Sequence, residues 1–173
     1  MRTILLRASV LLAALALVAA LGGCLISGTK VFSFSLGDIN VTGNQFERDT
    51  IDLTNDDTYK EHKDEIRLID RVGFTCKVVN NSANAAAVSM YFSTNAGLLD
   101  PETQATPLFR NFQVAGSGTE DVTYDESLAL IENFDALQAA VETGNITFYT
   151  NSPGGLNMLI DDMVLIVTFT VGI

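Results

Sequence analysis

The chain has 173 residues, a formal net charge of −11, two cysteines, one histidine, three prolines and no tryptophan. Two cysteines and one histidine exclude a zinc finger, a four-cysteine cluster and a multi-bridge disulfide scaffold. With 21 acidic side chains against 10 Lys and Arg, the balance also argues against a nucleic-acid partner, because phosphate neutralisation needs a surplus of cations.

Residues 1–24 differ from the rest. Arg2 and Arg7 form a short basic start, and Ala8 to Leu21 then run without a charge. That run falls short of the roughly 20 residues that a spanning helix needs, but it fits the apolar segment of a secretory signal, about 7–15 residues long. An uncleaved membrane anchor extending to Ile26 is the alternative. Leu21-Gly22-Gly23-Cys24 resembles the lipobox of bacterial lipoproteins, an aliphatic residue and two small ones before cysteine. The resemblance implies cleavage between Gly23 and Cys24, a diacylglyceryl group on the Cys24 sulfur, an acylated amino group there, and a place in the cell envelope. Leu25 stands where aspartate would favour inner-membrane retention in that family, which points to the outer membrane where the organism has one. Two or three acyl chains anchor firmly, at about 0.8 kcal/mol per buried methylene.

The expected division is a signal peptide over 1–23, a lipidated cysteine and short tether over 24–30, and one domain over 31–173. The leader holds two arginines and no acid, so its removal leaves 150 residues at −13, with Cys76 as the sole remaining thiol beside the lipidated Cys24. A chain of that size can bury about 68–70% of its unfolded surface, enough for one core.

Along the domain, Phe32, Phe34 and Leu36 alternate with serines and predict a strand. The apolar parity slips to Ile39 and Val41 after Gly37-Asp38, which predicts a bulge or corner. Asn55 to Val72 reads as an acidic loop and then a charged helix, with Tyr59, His62, Ile66 and Ile69 on one face and Lys60/Asp64 as an i,i+4 pair. Phe74, Cys76 and Val78, the turn residues Asn80 to Asn84, and Val88, Met90 and Phe92 together predict a hairpin. Asp100-Pro101 and Thr106-Pro107 mark loop. Short strands are expected around Phe112-Val114 and Val122-Tyr124, separated by Gly116-Ser117-Gly118. Asp125 is a candidate cap for a helical region carrying Leu130, Ile131, Phe134, Leu137 and Val141, divided near Asn133 and stopped by Gly144. Ile146 to Tyr149 is a strand, Ser152 to Gly155 a turn, and Met163 to Val171 a closing strand apolar on both parities.

Candidate chemistry is sparse. His62 is the only histidine, so every Ser-His-Asp or Cys-His arrangement depends on it, and it reads as a boundary residue on a charged helix. Cys76 lies in an apolar row and reads as a small hydrophobe. Asp49, Asp52, Asp56 and Asp57 are a speculative calcium site. They do not form an EF-hand, because Asp57 replaces the turn glycine and Lys63 stands where a bidentate glutamate is required. Asp161-Asp162 reads as the polar start of the last strand. Ser27-Gly28-Thr29-Lys30 matches the S-x-x-K pattern of penicillin-binding enzymes without its Ser-Asp-Asn and Lys-Thr-Gly companions. Asn40-Val41-Thr42, Asn80-Asn81-Ser82 and Asn145-Ile146-Thr147 are glycosylation sequons, which the resemblance to a bacterial lipobox makes poor evidence of modification. No residue is assigned a catalytic role, and no cofactor is expected besides the covalent lipid.

Six to eight strands with one or two short helices predict a mainly β fold, an antiparallel β-sandwich. The strand–Asn80-Asn81-Ser82–strand unit resembles bacterial immunoglobulin-like sandwich domains over some twenty residues. The expected function is a non-enzymatic lipoprotein held at the membrane, acting in envelope structure or as a binding module for an envelope protein. A tethered calcium- or small-ligand-binding protein is the alternative, and an envelope hydrolase using paired carboxylates a third reading.

Overall fold

The computed structural model describes residues 28–42, 45–63, 66–152 and 156–171. The chain is mainly β, with two antiparallel sheets packed face to face and a few short helices. In chain order the elements are β1 (Gly28–Val41), β2 (Glu47–Asp52), a 3-10 turn (Leu53–Asn55), α1 (Asp57–His62), β3 (Ile66–Asn80), β4 (Ala86–Ser93), α2 (Pro101–Gln104), β5 (Thr106–Val114), β6 (Thr119–Val122), α3 (Tyr124–Leu130), α4 (Phe134–Thr143), β7 (Asn145–Asn151) and β8 (Met158–Val171). One sheet has the order β1-β8-β3-β6 and the other β2-β7-β4-β5.

Period-two alternation builds the core. Phe32 and Phe34 of β1, Phe74 and Val78 of β3, and Leu165, Val167 and Phe169 of β8 are buried on one face of the first sheet. Val88, Met90, Phe92, Ile146 and Phe148 answer them from the second. Phe74 and Phe109 stack with centroids 5.6 Å apart, joining β3 to β5 across the sandwich. Leu137 and Val141 of α4 add to this core.

The slip read at Gly37-Asp38 is a bulge: the β1–β8 register shifts between Ser35 and Ile39, and Gly37 takes φ +70°. β8 makes the matching slip at Asp161-Asp162, where Asp162 has φ +48°. The two acids therefore sit inside the last strand, which begins at Met158 rather than Met163. Its two parities are also unequal. Leu165, Val167 and Phe169 are fully buried, whereas Val164, Ile166 and Thr168 are half-buried on the outer face.

Other expectations are corrected. The strand start at Gly28 places Gly28–Lys30 in the sheet, opposite Val171, Thr170 and Phe169, and not in a tether. Thr29 and Lys30 of the S-x-x-K match are thus strand residues; Ser27 lies outside the described residues. The helix expected up to Val72 ends at His62, and Ile66 opens a strand. Bulges between Ile66 and Leu68 and between Ile69 and Arg71 add residues to β3, so its apolar side chains recur every third position and imitate a helix. Asp64, the supposed partner of Lys60, lies outside the described residues; Lys60 instead meets Asp57 at 3.4 Å. More helices form than expected, four among the described residues besides the 3-10 turn.

The supposed hairpin is an arch. β3 pairs with β6 and β8, and β4 pairs with β5 and β7, so residues 81–85 carry the chain from one sheet to the other. Asn80 pins this crossing. Its buried side-chain amide donates to the carbonyls of Asn84 (2.8 Å), Val114 (3.2 Å) and Ala115 (3.0 Å), and its Oδ1 accepts from the Ser82 N–H at 2.9 Å.

Pro107 falls inside β5 rather than in a loop, which is tolerated because β5 is an edge strand. Tyr124 belongs to α3, whose cap is Thr123 in a capping box with Glu126 instead of Asp125. The division near Asn133 and the stop at Gly144 stand as read, the glycine being left-handed at φ +82°. The turn at Pro153–Gly155 lies outside the described residues. No helix among the described residues is long and apolar enough to cross a membrane.

Candidate functional site

Cys24, Gly23 and the rest of the leader lie outside the described residues, as does the side chain of His62. The four acids proposed for calcium are described, and they do not converge. Asp49 accepts the Thr50 N–H at 2.8 Å. Asp52 caps the 3-10 turn, accepting from the Thr54 N–H at 3.0 Å and from Asn55 Nδ2 at 2.6 Å. Asp56 caps α1 through the Tyr59 N–H at 2.8 Å. Asp57 lies in the first turn beside Lys60, where the helix dipole favours an acid. The carboxylates answer local backbone donors, the ordinary work of aspartate at a helix start.

Among the described residues, one carboxylate trio does form, from Asp38, Asp161 and Asp162, with oxygens within 4.8 Å of one another. It sits on the paired bulges of β1 and β8. Asp38 Oδ1 accepts the Asp162 N–H at 3.2 Å, and Lys77 reaches Asp161 at 3.7 Å. The sequence marked Asp161-Asp162 but not Asp38, because strand register brings them together across more than 120 positions. These contacts give the trio a structural role at the bulge.

Cys76 is buried in the sandwich. Burial first, and the nearby Asp121 charge second, push its thiol up to about 12. The fold favours the protonated form, so this contribution to stability is whole below the free-thiol pKa near 9 and is lost as pH rises toward 12. We predict that a thiol reagent at pH 8 leaves Cys76 unmodified in the folded protein and labels it fully in denaturant. Fast labelling of native protein would contradict its burial.

Two clefts remain. The first, about 320 Å³, lies at the end of the sandwich where β1 begins. Phe32 and Phe34 of β1, Ile69 of β3, and Val167 and Phe169 of β8 form its apolar floor, and α1 and α4 supply Tyr59 and Val141. Phe32 lies flat on Phe169, with centroids 4.1 Å apart and planes 8° apart. Lys63 and Glu142, both exposed, also line it. Burial and then the Glu142 charge raise the Tyr59 hydroxyl above its ordinary pKa.

The second cleft, about 420 Å³, lies on the outer face of the β2-β7-β4-β5 sheet. Phe46 meets Tyr91 edge-on at 5.9 Å. Asn111, held at φ +56° by the β5 irregularity, donates its N–H to Ser89 Oγ at 3.0 Å. Arg110 forks onto Glu132, and the buried Asn151 Oδ1 has no hydrogen-bond partner among the described residues. The segment after β4 folds over this face, tied down by Tyr149 to the Asn95 carbonyl and by Arg48 to the Ala96 carbonyl, each at 2.7 Å. Neither cleft was visible in the sequence, because each gathers residues from separate strands and helices.

No family model matches the chain, and no curated protein matches it. Among solved structures it is similar to that of Desmodium yellow mottle tymovirus, at 9% identity over 86% of this chain and 89% of that one, with a TM-score of 0.34. Turnip yellow mosaic virus gives 8% identity over 86% and 81%, with a TM-score of 0.36. A latent aurone synthase (polyphenol oxidase) gives 14% identity over 78% of this chain and 26% of that one, at 0.39. Likeness at this level carries no functional argument.

Proposed function

We propose that the chain is a lipid-anchored protein of the cell envelope, held to the membrane through Cys24, and that its β-sandwich acts by binding rather than by catalysis. The observation that carries this reading is the run from the basic start through the apolar segment to Leu21-Gly22-Gly23-Cys24. β1 opens at Gly28, so three residues, with at most about 14 Å of extended chain from Cys24 to Gly28, would separate the lipidated cysteine from the sheet. A domain on so short a lead would stay at the membrane surface. Its charge near −13 would be repelled by anionic head groups, leaving attachment to the acyl chains.

The binding role draws support from the acids and the thiol. Asp49 within β2 and Asp52, Asp56 and Asp57 at caps and a first helical turn are each engaged locally, which weighs against the calcium reading, and Cys76 is held protonated inside the core. Cys24→Ser is expected to abolish incorporation of a fatty-acid analogue and to leave unprocessed precursor. Unchanged incorporation would overturn the anchor.

A further inference from the structure

We propose that the apolar cleft at the start of β1 binds the acyl tail of a single-chain zwitterionic lipid, with Lys63 facing its phosphate and Glu142 its ammonium. The assignment of the bilayer as the source of this ligand rests on the anchored reading above; the cleft itself does not.

The floor comes first. Phe32, Phe34 and Phe169 give three aromatic rings, and Val167, Ile69 and Val141 give aliphatic surface. These side chains offer a ligand no hydrogen bond, so the part of a ligand that lies on them must be apolar, and polar contacts are left to Tyr59, Lys63 and Glu142. A dry cavity of about 150 Å³ accepts benzene; about 320 Å³ takes roughly twice that, which suits the end of an alkyl chain.

The polar groups define the head. Among the described residues, one cation, Lys63, and one anion, Glu142, line the same cleft. A fatty acid would satisfy the lysine and be repelled by the glutamate, and a simple amine would do the reverse. A head carrying both charges meets both residues.

Position supplies the route. Gly28 pairs with Val171 at the end of the sheet, and Phe32 pairs with Val167 four residues further along. Seven residues lie between Cys24 and Phe32, so the chain from one to the other spans at most about 29 Å when extended. An anchored domain would therefore hold this cleft within reach of the lipid surface.

The test uses the full lipidated protein in phosphatidylcholine vesicles with a lysophosphatidylcholine carrying a photoactivatable diazirine in its acyl chain. Illumination followed by residue-level mass spectrometry should place label on residues 32–34, 141 and 167–169. Lys63→Glu and Glu142→Lys, both exposed changes that leave the core intact, should each reduce that label at least fivefold. The double exchange should restore it. Label absent from those residues, or label there that neither single change reduces, would overturn the proposal. The protein's own acyl chains are separated from the added lipid because only the added lipid carries the diazirine. The mass of the peptide containing Cys24, read in the same sample, tests anchoring independently of the cleft.

Discussion

Asn80→Ala is expected to lower the stability of the domain by about 2–3 kcal/mol, a large effect for a single change. The side chain is 1% exposed and serves four backbone groups from both sides of the arch. Truncation leaves the buried Val114 carbonyl without the Asn80 donor and cuts the part-buried bonds to the Asn84 carbonyl and the Ser82 N–H, while the Ala115 carbonyl keeps the Gly118 N–H at 2.9 Å. Each buried polar group left without a partner costs about 1–3 kcal/mol. Asn80→Asp separates this account from simple loss of volume: the shape is kept, but an acceptor-only group then faces three carbonyls. It should destabilise at least as much as alanine. Urea unfolding followed by circular dichroism reads both, and a midpoint unchanged by Asn80→Asp would refute the role assigned to the amide.

Gly116→Ala tests the same junction from its other side. A Cβ there would stand 2.1 Å from the Ala83 carbonyl oxygen, 2.7 Å from its carbon and 3.0 Å from the Asn84 carbonyl carbon. Those atoms are backbone, so no side chain can swing aside. The arch would have to open, breaking the Ser117 N–H to Ser82 carbonyl bond (2.8 Å) and the Asn80 N–H to Gly118 carbonyl bond (2.9 Å). The expected cost is about 3 kcal/mol, which in a domain this size lowers Tm by about 6–12 °C. Gly97→Ala is the control. Its nearest neighbour would lie at 3.5 Å, and its Tm should hold within about 2 °C.

The same junction shows how far the sequence could be read. Asn80 to Asn84 announced a turn, and a turn is there. Which strand the chain pairs with afterwards is decided by register with β5, β6, β7 and β8, and no local pattern carries that. The bulge in β1 was legible because a glycine marks it and the apolar parity visibly slips. The bulges in β3 came without such a marker, and Ile66 and Ile69 then continued the helical face read from Tyr59 and His62. At α4 the periodicity of Leu137 and Val141 and the left-handed Gly144 agreed with one another, and the helix formed where expected.

The site was less legible than the fold. Aspartate is favoured both as an N-cap and as a calcium ligand, and Asp52 and Asp56 turned out to be caps. The carboxylates that do gather, Asp38 with Asp161 and Asp162, are brought together by antiparallel pairing of distant strands. The floor of the apolar cleft likewise joins Phe32 to Phe169. Those pairings depend on the finished sheet.

The lipid anchor is most directly tested by the intact mass of the protein extracted from membranes of the cells that make it. The expected mass is that of a chain beginning at Cys24 with a diacylglyceryl group on its sulfur, with or without a further acyl chain on its amino group. An unmodified chain retaining residues 1–23, or one with a free thiol at Cys24, would contradict the account.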